Sequence, residues 1–266
     1  MSAGETGQVT RSAAEVYEDF FVPALFQQWA DRMIQAAQVQ AGQRVLDVAC
    51  GTGVFARAAS NRVGAAGSVI GVDVNEGMLA VARRVAPEIE WHAVRAEALP
   101  FEDATFDVVG CQFGLMFFED RPAALREMVR VLCPGRHLAV AVWDRLEASP
   151  GYAAMVELLR RLFGEQVAAA LDAPFVLGDR DLLQSVFEAA GIVDAEIRTE
   201  VGTARFPSLA SWIYTDIRGW TLAEMLDDDQ LARLQHEAET ELRPFVTDRG
   251  TVEFAMPAHI VTAPAR

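Results

Sequence analysis

The chain has 266 residues, of which 52% are apolar and 23% are charged, values typical of a globular protein with a core of its own. Its 23 basic and 38 acidic residues give a formal net charge of −15 at pH 7. A protein of this charge repels polyanions, so we expect neither nucleic acid nor a membrane surface as a main partner. The three cysteines show no C-x-x-C spacing, which argues against a disulfide framework or a zinc site.

The apolar segments are too short for a membrane protein. The longest unbroken run, Leu138 to Trp143, is far below the length that spans a bilayer. Residues 1–10 are small and polar and lack the apolar segment of a secretory signal, and we expect them to be disordered. The sequence therefore predicts a cytoplasmic protein. It leaves the oligomeric state open, and a homodimer is compatible with it.

Short β-rich segments alternate with amphipathic stretches through the first 143 residues. Helices are predicted at Val54–Val63, at Glu76–Val85 with Asn75 as N-cap, and at Ala123–Leu132. Strands that alternate with helices imply right-handed crossovers, and hence an α/β fold with a doubly wound, mostly parallel sheet. The predicted strands are Arg44–Ala49, Ser68–Asp73, Glu90–Val94, Phe106–Gln112 and His137–Trp143.

After Trp143 the pattern becomes more helical. Helices are predicted at Leu146–Leu171, at Asp179–Gly191 and at Ser208–Leu242, and the acidic residues 227–229 fit a helix start better than a metal site. Two further strands are predicted at Ala195–Thr203 and Ala258–Ala263, which brings the expected sheet to seven strands.

The segment Val45–Gly53 is the most informative, because an apolar strand ends there in a turn of small residues that leads directly into a helix. Gly51 and Gly53 permit a tight turn and let a ligand approach the backbone. Asp73 ends the second strand 20 residues beyond Gly53, where an acidic residue can accept hydrogen bonds from ribose hydroxyls. We therefore expect a ligand with a ribose at the carboxyl ends of the first two strands.

Two ligands fit this pattern. Gly51, Gly53 and Ala56 match the G-x-G-x-x-G/A fingerprint, so NAD and an NAD-dependent oxidoreductase remain an alternative, although no residue pair typical of hydride transfer is evident. Asp47, four residues before Gly51, would repel a pyrophosphate and attract an ammonium group. S-adenosylmethionine has an ammonium group and ribose hydroxyls and lacks phosphate, so it fits Asp47 and Asp73 better.

Five segments in order carry a family resemblance: Val45–Gly53, Gly71–Asp73, Ala96–Phe101, Phe106–Val109 and Arg130–Gly135. In them the sequence resembles the class I S-adenosylmethionine-dependent methyltransferases, and within these the ubiquinone/menaquinone-biosynthesis type (type 11) of small-molecule methyltransferase. The resemblance implies a Rossmann-like core at residues 41–145 that binds S-adenosylmethionine. It also implies cap helices at residues 1–40 and a C-terminal half, 146–266, that completes the sheet. Within that half, helical insertions at about 146–178 and 207–247 would form a lid.

The resemblance also implies roles for individual residues. Asp47 would hold the methionine amino group, Thr52 its carboxylate and Asp73 the ribose. Gln112 would face the methionine end or the acceptor. The implied cofactor-binding set is Asp47, Ala49, Gly51, Thr52, Gly53, Asp73, Val74, Met78, Ala96, Glu97 and Gln112, with Val74 and Met78 beside the adenine and the Ala96 N–H on its ring.

The sequence departs from the family pattern at two positions. Arg95 stands where the family has an acidic residue that accepts a hydrogen bond from the adenine amino group, and a guanidinium cannot accept one. Either Glu97 replaces it, or backbone and packing hold the adenine alone. Arg136 replaces the usual second glycine after Pro134, so that turn does not require a left-handed residue there.

The acceptor side is marked by aromatic residues, which favour an apolar or ring-bearing acceptor. Phe117, Tyr17 and Trp143 are the predicted substrate-binding residues. A general base is needed only if the acceptor loses a proton, and the sequence assigns none; Tyr17 and His236 are the candidates. The predicted function is methyl transfer from S-adenosylmethionine to an O, N or C atom of a small organic acceptor. A binding protein or a cyclase that retains the cofactor without transferring methyl remains an alternative.

Overall fold

The computed structural model describes residues 11–218, 222 and 225–265. Within these residues seven strands form a single sheet in the order β3-β2-β1-β4-β5-β7-β6. All neighbouring pairs from β3 to β5 are parallel, whereas β7 is antiparallel to both β5 and β6. The predicted α/β fold is thus confirmed. The strands are β1 Arg44–Val48, β2 Ser68–Asp73, β3 Glu90–Ala93, β4 Phe106–Gln112, β5 Leu132–Trp143, β6 Glu196–Phe206 and β7 Val252–Pro264.

The strand order places a crevice at the carboxyl end of β1. The chain builds outward from β1 through β2 to β3 and then returns to add β4 on the other side of β1. Helices that follow β1 and β4 therefore leave on opposite faces of the sheet, and the ends of these strands are open to a ligand. Both strands are apolar and almost completely buried, as expected for central parallel strands.

Ten α-helices occur in the described residues, and most cover the two faces of the sheet. Between the first two, Tyr17–Phe26 winds as a wider π-helix that contains Pro23. The α-helices are α1 Arg11–Val16, α2 Gln27–Ala36, α3 Val54–Val63, α4 Glu76–Val85, α5 Arg121–Arg130, α6 Pro150–Phe163, α7 Glu165–Asp172, α8 Arg180–Ala189, α9 Leu209–Arg218 and α10 Asp228–Glu241.

The predicted helix starts are confirmed by their caps. The Asn75 side chain accepts a hydrogen bond from the Met78 N–H at 3.0 Å, and Asp179 accepts two from the first turn of α8. Asp227 forms a reciprocal capping box with Gln230 at the start of α10. The acidic residues 227–229 therefore begin a helix. In the described part of the chain no cluster of histidine, cysteine and acidic side chains could hold a metal ion.

Several predicted boundaries were wrong. The predicted helix Leu146–Leu171 is divided into α6 and α7 by Gly164, whose φ of 88° and ψ of 177° lie outside the helical region and are accessible mainly to glycine. Leu132 belongs to β5, where it pairs with Phe106, and not to α5. Strands β6 and β7 are longer than predicted because they pair along their whole length, out to Phe206 and Val252.

The remaining predictions for the ends and the second insertion are only partly tested. The predicted helix Ser208–Leu242 consists of α9 and α10, and the segment between them lies largely outside the described residues. The expected disorder of residues 1–10 also lies outside them. No helix in the described ranges has the length and apolar character needed to cross a membrane.

The N-terminal segment is fixed to the sheet at the same edge as the crevice. Gln28 of α2 exchanges two hydrogen bonds, of 2.8 and 2.9 Å, with the backbone of Thr203 in β6. The fully buried Trp29 packs edge-on against Phe113, after β4, and against Trp143, at the end of β5. These contacts hold the π-helix over the carboxyl ends of the central strands.

The contact between β4 and α3 gives a direct test of the packing. A Cβ on Gly110 would lie 2.2 Å from the Phe55 ring, so Gly110→Ala should lower the free energy of unfolding by about 1–3 kcal/mol through overpacking. Urea denaturation measures this loss. In a Phe55→Leu background the same substitution should be less destabilising, because the smaller side chain leaves room. Equal losses of unfolding free energy in the two backgrounds would show that the contact with the Phe55 ring does not cause the destabilisation.

Candidate cofactor and acceptor sites

The turn after β1 has an unusual backbone. Ala49, Gly51 and Gly53 all have positive φ, at 56°, 55° and 89°. Phe113, which follows the neighbouring strand β4, has φ of 59°. Non-glycine residues such as Ala49 and Phe113 adopt this conformation only where the surrounding structure holds them in it, which is common at functional sites.

Asp73 connects this turn to β2. Its carboxyl group accepts a hydrogen bond of 2.8 Å from the Gly51 N–H through one oxygen and another of 2.8 Å from the Asn75 N–H through the other. Burial raises the pKa of Asp73, and these hydrogen bonds oppose that shift. A carboxylate has about four lone-pair sites, so Asp73 can still accept further hydrogen bonds.

Asp47 is the more deeply buried acid, with 1% of its surface exposed. Its Oδ2 accepts a 3.0 Å hydrogen bond from the Ala56 N–H in the first turn of α3, whereas its Oδ1 is buried and has no hydrogen-bond partner. Burial raises the pKa of Asp47 well above its usual value, and the negative charge of Asp73 adds to this. A cation bound beside Asp47 would stabilise the ionised carboxylate.

These groups line an open crevice with a volume of about 110 Å³. Two of its other polar atoms, Thr52 Oγ1 and Gln112 Oε1, are also buried without a hydrogen-bond partner. The π-helix covers one side through an ion pair of 2.9 Å between Glu18 and Arg57 of α3. The crevice is lined by Tyr17, Asp47, Ala49, Cys50, Gly51, Thr52, Val54, Phe55, Asp73, Val74, Asn75, Met78, Gln112, Phe113, Gly114, Phe117 and Phe118.

A second cavity, of about 60 Å³, adjoins the crevice. The two share three aromatic side chains, Tyr17, Phe113 and Phe117. Phe113 stacks on Trp143 with a ring-centroid distance of 3.8 Å, which makes a flat aromatic wall. The second cavity is lined by Tyr17, Phe21, Leu25, Phe26, Phe113, Phe117, Trp143, Tyr152, Leu171, Pro174, Phe175, Asp216 and Met256.

Asp216 of α9 is the acidic residue in this otherwise apolar lining. It is 1% exposed, and its Oδ1 accepts a 3.1 Å hydrogen bond from the Tyr152 hydroxyl. Burial raises the pKa of Asp216 to about 8, although Tyr152 and Trp212 act in the opposite direction. The Asp216 Oδ2 and the Trp212 Nε1–H nevertheless have no hydrogen-bond partner of acceptable geometry.

Comparison with known proteins places this architecture in a family. Residues 15–199 match the ubiE/COQ5 methyltransferase family. The chain belongs to that family. Among its relatives, the ubiquinone/menaquinone biosynthesis C-methyltransferase UbiE of Xylella fastidiosa (strain M23) is 39% identical over 140 residues, which cover 50% of this chain and 55% of that protein. The demethylmenaquinone methyltransferase of Staphylococcus carnosus (strain TM300) is 34% identical over 188 residues, 65% of this chain and 78% of the relative.

Solved structures extend the similarity of fold over nearly the whole chain. The YcgJ protein from Bacillus subtilis superposes with a TM-score of 0.61 at 21% identity, over 90% of this chain and 98% of that protein. Phosphoethanolamine N-methyltransferase 2 of Haemonchus contortus gives 0.61 at 19% identity, over 97% of this chain and 58% of that one. At these identities the similarity concerns the fold alone. The match to the Xylella relative spans only about half of that protein's length.

Most residues that the family resemblance assigns to the cofactor line the crevice, but Gly53 does not. A Cβ on Gly53 would lie 2.3 Å from the Trp91 ring of β3. Gly53 is therefore required by its positive φ and by the close approach of this ring. Gly51 differs, because its nearest neighbour at the Cβ position is the Tyr17 ring at 4.0 Å.

Ala96 and Glu97 also lie outside the lining of the crevice. The Glu97 carboxyl accepts a 3.2 Å hydrogen bond from the Glu119 N–H, in the loop before α5. Arg95 contacts both Glu97 and Glu119. Glu97 is thus held at this loop by backbone hydrogen bonds, with Arg95 beside it.

The two candidate bases differ in position. His236, a candidate base, lies exposed on α10 and lines neither cavity, because the buried side of α10 is formed by Leu234 and Ala238. Tyr17 lines both cavities. Burial and then the charge of Glu18 raise the pKa of Tyr17, so its phenol stays neutral.

Asp216 was missed by the sequence analysis, although a signal was present. Asp216 lies four residues after Trp212 and three after Ile213, which places it on the apolar side of its helix. An acidic residue on the apolar side of a helix usually has a pairing partner or a functional role, because burying an unpaired carboxyl group is unfavourable.

The raised pKa of Asp216 predicts a pH-dependent stability. An unfolded Asp ionises near pH 4 and the folded one near pH 8, so between these values the unfolded state releases a proton that the folded state retains, and stability falls as pH rises. Asp216→Asn removes this loss. The difference in free energy of unfolding between the variant and the wild type should therefore grow in favour of the variant, by up to about 1.4 kcal/mol per pH unit from pH 5 to 8.

Urea denaturation at several pH values measures this difference. Asp31→Asn, which removes an exposed carboxyl from α2, is the matched control for the loss of one charge. A constant difference between the Asp216→Asn variant and the wild type across this range would contradict the raised pKa.

Proposed function

We propose that the protein binds S-adenosylmethionine in the crevice and transfers its methyl group to a small, apolar acceptor in the adjoining cavity. The observation that carries the proposal is the buried Asp47 Oδ1, which has no hydrogen-bond partner and lies in a crevice that opens to an aromatic cavity. A buried carboxylate of this kind is stabilised by a cationic ligand. The membership of the ubiE/COQ5 methyltransferase family supports the same cofactor.

The polar atoms of the turn fit the methionine end of this cofactor. Asp47 would attract the ammonium group, and the backbone of Ala49 and Gly51 would approach it closely because the turn is tight. Thr52 would bind the carboxylate through its unpaired hydroxyl. The Gln112 Nε2–H donates a hydrogen bond to the Phe26 carbonyl at 3.3 Å, and its Oε1 remains able to accept one from the ammonium group or the acceptor.

The carboxyl end of β2 fits the adenosine. Asp73 has lone pairs left for the two ribose hydroxyls after its bonds to Gly51 and Asn75. Val74 and Met78 supply apolar surface for the adenine.

A dinucleotide fits the same turn less well. NAD would place its pyrophosphate on the free N–H groups at the start of α3. Here the Ala56 N–H is already bonded to the Asp47 carboxyl, which would also repel a phosphate. This hydrogen bond favours S-adenosylmethionine over NAD.

The chemistry requires little beyond alignment. Bound S-adenosylmethionine supplies an electrophilic methyl group on a sulfonium. Tyr17, Phe113 and Phe117 line both spaces and would hold the acceptor against that methyl group and exclude water. The aromatic faces also stabilise a nearby positive charge. Trp143 lines only the cavity, where its ring would contact the acceptor.

The acceptor is proposed to be a small organic molecule with a largely apolar body. The Xylella and Staphylococcus relatives are named for methylation in ubiquinone and menaquinone biosynthesis and of demethylmenaquinone, which supports a ring-bearing acceptor. The family match ends at residue 199, so α9, which contributes Asp216 to the cavity, lies outside the matched residues. An assay for the release of S-adenosylhomocysteine in the presence of phenols, quinols and amines distinguishes methyl transfer from cofactor binding alone. No release with any of these compounds would argue for a cofactor-binding protein or a cyclase.

Asp73→Ala tests the cofactor assignment. The variant leaves two ribose hydroxyls unpaired, so the Kd for S-adenosylhomocysteine should rise about tenfold or more in calorimetry. Asp31→Ala, at an exposed acid on α2, should bind like the wild type. Unchanged affinity of the Asp73 variant would refute the assignment.

Thr52→Val separates binding from stability. The Thr52 hydroxyl is buried without a hydrogen-bond partner, so its replacement by a methyl group should leave the free energy of unfolding unchanged or raise it by about 1 kcal/mol. The affinity for S-adenosylhomocysteine should nevertheless fall several-fold, because the ligand carboxylate loses its donor. Calorimetry and urea denaturation measure the two effects; a variant that binds normally would show that Thr52 does not contact the ligand.

A further inference from the structure

Asp216 has no role in binding the cofactor, since it lines the second cavity and not the crevice. None of the ion pairs among the described residues includes it. A carboxyl group that is 99% buried without a counter-charge is destabilising to the fold, and apolar residues could fill the same space. Its presence in an apolar cavity therefore points to a ligand.

The carboxyl group is held in one orientation. The Tyr152 hydroxyl donates to Oδ1 at 3.1 Å, and Tyr152 is itself buried and packs against Phe175 and Phe254. Oδ2 is left without a partner. The structure thus offers a carboxyl oxygen of fixed position in a mainly aromatic and apolar lining, an arrangement that recognises a polar group on an apolar molecule.

We propose that Asp216, oriented by Tyr152, is a binding site for a hydroxyl group on an otherwise apolar acceptor. This inference rests on the proposed function, because it takes the second cavity to be the acceptor site. Asp216 is then an acceptor-binding residue, and Tyr152 is a positioning residue that acts through it.

A hydroxyl group fits this site better than the other common polar groups. It can both donate and accept a hydrogen bond, so it pairs with Oδ2 whether Asp216 is ionised or neutral. An acceptor carboxylate would be repelled by an ionised Asp216. An ammonium group carries three N–H donors that the mainly apolar lining cannot all pair, and Asp216, whose pKa is raised to about 8, carries little negative charge at neutral pH to hold it.

The site also determines how the acceptor lies. Asp216 and Tyr152 line only the cavity, whereas Tyr17, Phe113 and Phe117 line both cavity and crevice. A hydroxyl group bound to Asp216 is therefore held in the part of the cavity that the crevice does not share. The body of the acceptor then extends along the shared aromatic side chains towards the cofactor.

Binding of two matched probes tests the inference. The full chain is first saturated with S-adenosylhomocysteine and then titrated with 1-naphthol or with 1-methoxynaphthalene, whose oxygen cannot donate. The wild type should bind 1-naphthol about tenfold more tightly, as expected when a hydrogen bond satisfies an otherwise unpaired buried group. Asp216→Asn should remove most of this preference and leave the affinity for 1-methoxynaphthalene within about twofold.

Tyr152→Phe and Asp172→Asn complete the experiment. Without the Tyr152 hydroxyl the carboxyl is free to rotate, so Tyr152→Phe should reduce the preference for 1-naphthol several-fold, and it tests the site independently if the Asn variant does not fold. Asp172→Asn changes a half-buried acid that lines neither cavity and should retain the full preference. Circular dichroism checks that each variant is folded.

The outcomes separate the two proposals. A wild type that binds both probes equally, or an Asp216→Asn variant that keeps the preference for 1-naphthol, would overturn the hydroxyl site. Tighter binding of 1-naphthylmethylamine than of 1-naphthol would also overturn it, in favour of an amine. Failure of the wild type to bind S-adenosylhomocysteine, seen before any probe is added, would instead refute the proposed function.

Discussion

The placement of two carboxyl groups, the buried Asp47 and the half-buried Asp73, at the ends of neighbouring strands is the constraint on which this structure depends. Asp47 bonds to the first turn of α3, and Asp73 bonds to the turn after β1 and to Asn75 before α4. These hydrogen bonds connect two strands and two helices around one point. They also leave one carboxyl oxygen unpaired in a buried position. The hydrogen bonds that form the turn therefore leave a buried carboxyl oxygen that a positively charged ligand would stabilise.

Aromatic side chains divide the space beyond this point into two connected parts. Phe113 is held in a left-handed conformation and stacks on Trp143, and Trp29 packs edge-on against both. Stacked and buried rings have little freedom to rotate, so this wall is rigid. The family core forms the crevice, whereas α9, outside the family match, adds Asp216 to the cavity. The cofactor crevice and the acceptor cavity are thus built partly from different parts of the chain, and a fold of this kind can serve different acceptors through changes in the cavity alone.

Features that arise from contacts close together in the chain could be predicted from the sequence. The strand, turn and helix around Gly51 follow from an apolar run, small residues and an amphipathic repeat within about 20 positions. Asn75 caps its helix through a residue three positions away, and Asp179 caps through residues two and three positions away. The alternation of strands and helices in turn restricted the sheet to a parallel, doubly wound form.

Contacts between residues far apart in the chain were decided only by the tertiary structure. Gly53 faces Trp91 instead of the crevice because β3 brings that ring against the turn, and no local pattern contains this information. Glu97 is directed towards the loop before α5 by hydrogen bonds to residues more than 20 positions away. Asp216 is buried because α9 packs beside α6, which brings the Tyr152 hydroxyl to it. The sequence by itself determined the fold and the turn after β1, because helix periodicity and capping hydrogen bonds involve residues close together in the chain. The tertiary structure decided the second cavity, because the burial of a side chain depends on which distant elements pack against it.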